Sequence, residues 1–153
     1  MDTDVVIVGG GIAGSTLGLV LAREGLEVVV LERQLHYADR VRGENLHPWG
    51  VAEARQLGIY DVLLAAGGHL VEEYVNYRDG DDPDAAEAAP ISVSHLFDDV
   101  PGEVNLAHPA ACDALSAAAT NEVRGWCAGS GTSRSPLAGR PRCPTGRTVP
   151  HGS

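Results

Sequence analysis

Lysine is missing from this sequence: all 11 basic residues are arginine, against 21 acidic residues in a chain of 153. The shortage of positive charge falls on the body of the chain. Up to Arg124, seven arginines face all 21 acids, a net charge of −14, whereas residues 125–153 carry four arginines and no acid. A body this acidic excludes non-specific nucleic-acid binding, because phosphate contacts need clustered Arg and Lys. Cysteine is scarce. Cys112, Cys127 and Cys143 form no CxxC pair and are odd in number, so neither a zinc site nor a disulfide framework is indicated, and a reducing cytoplasm is the expected location. An unbroken apolar run is lacking as well. The uncharged stretch 5–22 is interrupted by Gly9, Gly10, Gly11 and Gly14 and is preceded by Asp2 and Asp4, which excludes a membrane span and a signal peptide. What remains is globular in composition, with 44% hydrophobic and 21% charged residues and enough length for one core.

The stretch 5–33 reads VVIVGGGIAGSTLGLVLAREGLEVVVLER. Its opening β-branched run, 5–8, reads as a strand buried on both faces. Gly9-x-Gly11-x-x-Gly14 follows at once, and from Ile12 or Ala13 the apolar spacing turns helical through Ala13, Leu17, Val20 and Leu21, with Gly25 as the stop. A second β-branched run, 26–31, ends in Glu32. This is one βαβ unit with the signature of dinucleotide binding. Gly9 permits the tight turn, Gly11 admits the pyrophosphate, Gly14 allows close helix packing, and Glu32 can accept the ribose hydroxyls. The amides at the helix start, Ile12 and Ala13 among them, face the phosphates with the positive end of the dipole. A carboxylate at Glu32 disfavours a 2′-phosphate, although Arg33 lies beside it.

Beyond the fingerprint, Arg40 and Arg42 precede Pro48, which suits the first position of a helix running to Leu57 with Gly58 as its stop. A short helix is expected over 60–66, closed by Gly67-Gly68. The acidic stretch Asp79, Asp81, Asp82, Asp84 and Glu87 separates two alternating runs, 69–77 and 91–97, and reads as the solvated loop of a hairpin with Asp79-Gly80 as its turn. It lacks the spacing of a calcium-binding loop. His36, His47, His69, His95 and His151 show no metal-ligand spacing, so no metal is expected.

These residues resemble the FAD-dependent monooxygenases of the aromatic hydroxylase type, whose first βαβ unit ends in a Glu-Arg pair, here Glu32-Arg33. The helix from Pro48-Trp49-Gly50 to Leu57-Gly58 matches a helix of that family, as does the start of a later one in Asn105-Leu106-Ala107-His108-Pro109. The resemblance implies FAD as cofactor, held by Gly9, Gly11, Ile12, Ala13, Gly14, Glu32, Arg33 and Arg42, with Arg40 the second candidate on the flavin side. It implies a small organic substrate, aromatic or polyketide-like, hydroxylated with NAD(P)H and O2. The family's usual arginine is replaced at His108, to which no role is carried over. No catalytic residue is assigned and the oligomeric state is open.

The resemblance runs through Thr120 and ends there. Residues 125–153 hold six Gly, four Pro, four Arg and no acid, too little apolar surface to offset ordering. Two readings of this tail stay open, a natural flexible basic segment and an out-of-frame or truncated continuation, and the abrupt shift in composition favours the second. The expectation is therefore an α/β fold: a Rossmann-like βαβ unit with an added β-hairpin in a partial FAD-binding domain over 1–124, followed by a disordered tail over 125–153. The competing functions are a non-catalytic nucleotide-binding fragment and an NAD-binding module or related FAD reductase.

Overall fold

The computed structural model describes residues 2–39, 43–94 and 96–129. The chain divides into two compact units, the first made of Met1–Asp39 and Cys112–Ser153, the second of Arg40–Ala111. Among the described residues no helix is long and apolar enough to cross a membrane.

The first unit opens on β1 (Val5–Val8), α1 (Ile12–Arg23) and β2 (Val28–Glu32). β1 and β2 are parallel, in register from Val5↔Val28 to Val8↔Leu31, and the bond from the Gly9 amide to the Leu31 carbonyl extends the ladder into the turn. The expected βαβ unit is present, its helix starting at Ile12. α1 buries Ser15, Gly18 and Leu19. Ile7, Val28, Val30 and Val123 form the cluster on which Val5, Leu21, Ala22 and Trp126 pack. Full burial of one such valine stabilises by about 1.5–3 kcal/mol.

In the second unit β3 (Gly43–Leu46) leads into α2 (Pro48–Gln56) and α3 (Tyr60–Ala65). Pro48 sits in the first turn of α2, where its missing N–H is no loss. β4 (His69–Val71), β5 (Glu73–Tyr74), α4 (Pro83–Glu87), β6 (Ile91–Ser92) and β7 (Glu103–Ala107) follow, then α5 (His108–Glu122), whose residues from Cys112 on belong to the first unit. β7 lies between β3 and β4, antiparallel to both. Its alternate residues Val104 and Leu106 are buried, as are Val51, Ala54 and Leu63 of α2 and α3.

The expected hairpin exists as β5 and β6, but it is short and its connection carries a helix instead of a simple turn. The acidic residues have local duties: Asp81 accepts from the Arg78 amide, and Asp82 caps α4 by accepting from the Asp84 amide. A second correction concerns Asn105, Leu106 and Ala107. These read as a helix start, yet they are strand, because pairing of β7 with two neighbours outweighs the helical run that begins at His108.

The last described element, β8 (Gly125–Ala128), returns to the first unit and lies parallel to β2, from Val29↔Gly125 to Glu32↔Ala128. The expectation of a disordered tail from residue 125 is thereby corrected at its start: Cys127 is buried and Trp126 packs on the first core, which supplies the burial that composition seemed to deny. The remainder of the expected tail, residues 130–153, lies outside the described residues. The strand order β1-β2-β8 puts β2 in the middle and leaves β1 at an edge. Val6 and Val8 on β1 are 56% and 83% exposed.

Candidate functional site

The turn between β1 and α1 is the best-formed candidate site. Gly9 adopts φ +103°, a conformation L side chains rarely take, and this turns the chain from strand to helix. A Cβ on Gly14 would fall 1.8 Å from the Gly9 carbonyl oxygen, so helix and turn touch backbone to backbone. At Gly11, by contrast, a Cβ would meet nothing within 4 Å. The helix starting there has no side-chain cap and no acid in its first turn. Its leading amides, those of Ile12, Ala13 and Gly14, lie before the intrahelical ladder begins and present the positive end of the dipole.

Glu32, at the end of β2, is 8% exposed. Its Oε2 accepts from the Gly10 amide at 2.5 Å and its Oε1 from the Gln34 amide at 2.7 Å. Both carboxylate oxygens are thus held by backbone amides beside the glycine turn. The arrangement fits the ADP half of a dinucleotide: an open cradle at Gly11, unpaired amides for phosphate, and a carboxylate beside the turn for ribose.

A family model described as an FAD binding domain matches residues 2–123. The chain belongs to that family. Squalene monooxygenase from Rattus norvegicus is 42% identical over 74 residues, which cover 48% of this chain and 13% of the relative. A squalene monooxygenase from Panax ginseng is 44% identical over 79 residues, 52% of this chain and 15% of the relative. The chain thus spans a small part of the length of the curated relatives it matches. Among solved structures, pqsL, a probable FAD-dependent monooxygenase from Pseudomonas aeruginosa, shares the fold with a TM-score of 0.59 at 24% identity, over 78% of this chain and 30% of its own. The cofactor of this FAD-binding domain is FAD.

Of the other residues singled out by sequence, Arg33 is exposed beside Glu32. Arg42 and Arg40 lie outside the described residues. Sequence reasoning missed the residues behind the turn. Gly10 is buried, and a Cβ there would come within 2.7 Å of the Trp126 ring. Its carbonyl accepts from Ser15 Oγ at 2.6 Å and from the Tyr37 hydroxyl at 2.5 Å. No spacing rule would have found Tyr37 or Trp126, because they are brought to the turn by the end of β2 and by β8.

The second unit holds a separate polar cluster. Glu103, 7% exposed, accepts from Asn45 Nδ2 at 3.1 Å and pairs with His47 Nδ1 at 2.6 Å; the His47 ring lies 4.6 Å from that of Trp49. His108 pairs with Glu44 at 2.5 Å. Both histidines are partnered by carboxylates. The His47 hydrogen bond holds the Glu103 carboxyl below the usual carboxylate range, against the opposing effect of burial and with help from Asn45. A depressed folded value means that the stabilisation is complete above the unfolded pKa of about 4.3 and is lost as pH falls through the folded value. Glu103→Gln should therefore lower stability at pH 7 by about 1 kcal/mol, discounted because His47 is half exposed. The gap to wild type in urea midpoint should close below pH 4. A gap that stays constant from pH 7 to pH 3 would show that the charge contributes nothing.

Proposed function

We propose that this chain is the FAD-holding N-terminal portion of a flavin-dependent monooxygenase that oxygenates a small organic molecule with NAD(P)H and O2. The observation that carries the reading is the Glu32 carboxylate bonded to the glycine turn, beside the open position at Gly11 and the uncapped start of α1. Bound there, FAD supplies the two-electron transfer and oxygen activation that no side chain can. The protein's own part is to bind and orient. Glu32 holds the adenosine ribose, and the backbone of Gly11 to Gly14 faces the pyrophosphate, where the helix dipole contributes roughly 0.3–1 kcal/mol, or about 2 when partly buried. Arg33 and Arg42 are assigned to the cofactor by the family resemblance, Arg42 toward the flavin. Hydroxylation of an aromatic or polyketide-like ring is the primary substrate reading. The squalene monooxygenases among the relatives favour a second, oxygenation of an apolar isoprenoid.

Gly11→Val tests the site without touching the fold. The position has ordinary extended dihedrals, φ −68° and ψ −167°, and free space for a side chain. The variant should keep its thermal midpoint within a few degrees while FAD and ADP affinity fall by at least about 100-fold, since the added carbons occupy the ligand's place. Titration of residues 1–153 and of the variant with both ligands checks this. Unchanged affinity would move the cofactor away from the turn. Stoichiometric flavin with substrate-stimulated NAD(P)H oxidation would support turnover by the chain, and flavin binding without oxidation would support the non-catalytic alternative.

A further inference from the structure

Gly10 is held by side chains on every polar atom of its backbone. Its N–H donates to Glu32, and its carbonyl accepts two hydroxyls at once, from Ser15 of α1 and from Tyr37, five residues beyond β2. A carbonyl oxygen has two lone pairs, so this one is saturated. The peptide that follows is trans, and in a trans peptide the C=O and the next N–H point in opposite directions. With the carbonyl fixed toward Ser15 and Tyr37, the Gly11 N–H is fixed toward the other side.

We propose that Tyr37 and Ser15 are positioning residues of the phosphate-binding turn, which lock the Gly10–Gly11 peptide so that the Gly11 amide is aimed at the pyrophosphate. The inference rests on the dinucleotide reading of the turn and adds to it two residues outside the glycine spacing. Tyr37 is suited to the task. Burial first, and the Glu32 carboxylate second, push its hydroxyl up to about 12, so it remains a donor through the physiological range. The two locks differ in origin, one from the helix that the turn feeds and one from the segment after β2. The turn is therefore ordered before any ligand arrives, and the amide need not reorient on binding.

The lock acts on the pyrophosphate and leaves the ribose site alone, which separates it from a general structural role. Tyr37→Phe and Ser15→Ala should each weaken ADP and FAD binding roughly three- to tenfold, the effect of one hydrogen bond, while adenosine affinity stays unchanged. The measurement is titration calorimetry, with adenosine followed by NMR, on wild type and both variants. The amide resonance of Gly11 in the ligand-free protein should also shift in Tyr37→Phe, a readout that does not depend on affinity. A parallel fall for ADP and adenosine would assign Tyr37 to folding and overturn the proposal. So would ADP binding that both variants leave intact, with the dinucleotide reading surviving. Failure of wild type to bind ADP at all would overturn both.

Discussion

Replacing Gly14 with alanine is expected to destabilise the first unit severely. The new Cβ would fall 1.8 Å from the carbonyl oxygen of Gly9, 3.0 Å from its carbon and 3.3 Å from Ile7 Cγ2. The main obstacle is backbone, and it is anchored: the Gly9 amide bonds the Leu31 carbonyl at 2.8 Å, and Gly9 already sits at φ +103°. A flexible side chain could swing aside; this peptide can move only by breaking the β1–β2 ladder or lifting α1 from the sheet. Overpacking in cores typically costs about 1–3 kcal/mol where side chains can adjust, and here the cost should exceed about 3 kcal/mol. For a domain of this size that lowers the thermal midpoint by roughly ten degrees or more. Circular dichroism melts of Gly14→Ala beside Gly11→Val read the contrast: one glycine protects the fold, the other the ligand. A wild-type midpoint in Gly14→Ala would mean that the helix does not pack on the turn as described.

How far such features are visible in the sequence depends on whether they are local. The βαβ unit was legible because each step is carried by neighbours: β-branched residues before a glycine, helical spacing after it, and an acid at the end of the second run. Pro48 and Gly58 framed α2 in the same way. β3 was not legible, since Gly-Glu-Asn-Leu holds no β-branched residue and is a strand only through its pairing with β7, from Gly43↔Ala107 to Leu46↔Val104. β8 shows the same limit more sharply. Its four residues sit in a stretch of tail-like composition, yet they pair with β2 across nearly a hundred positions and place Trp126 against Gly10. The site residues divide likewise. The glycines and Glu32 are read from spacing, whereas Tyr37 and Trp126 meet the turn only after the sheet has assembled.

Substitution of Glu32 by alanine should damage stability and binding together, and the pattern across ligands distinguishes it from every other change at the turn. The carboxylate accepts from two backbone amides, Gly10 and Gln34, and is itself buried. Alanine leaves both donors without their acceptor. At about 1–3 kcal/mol for each such group, less for the partly buried Gln34, the loss should be roughly 2–4 kcal/mol. On the proposed ribose role of Glu32, adenosine and ADP affinity should both fall as well, by about 100-fold or more for ADP, unlike the pyrophosphate-selective loss expected of Tyr37→Phe. Glu32→Gln refines the test. It keeps one acceptor oxygen but turns an NH2 toward one of the two amides, so stability should fall between wild type and alanine. Removing the negative charge also removes the repulsion that a 2′-phosphate would meet. Wild type should therefore prefer 5′-ADP to its 2′-phosphorylated counterpart by tenfold or more, and Glu32→Gln should narrow that preference mainly by losing 5′-ADP affinity. Titration of both nucleotides into both proteins decides it. Equal discrimination in the two would place the ribose away from Glu32.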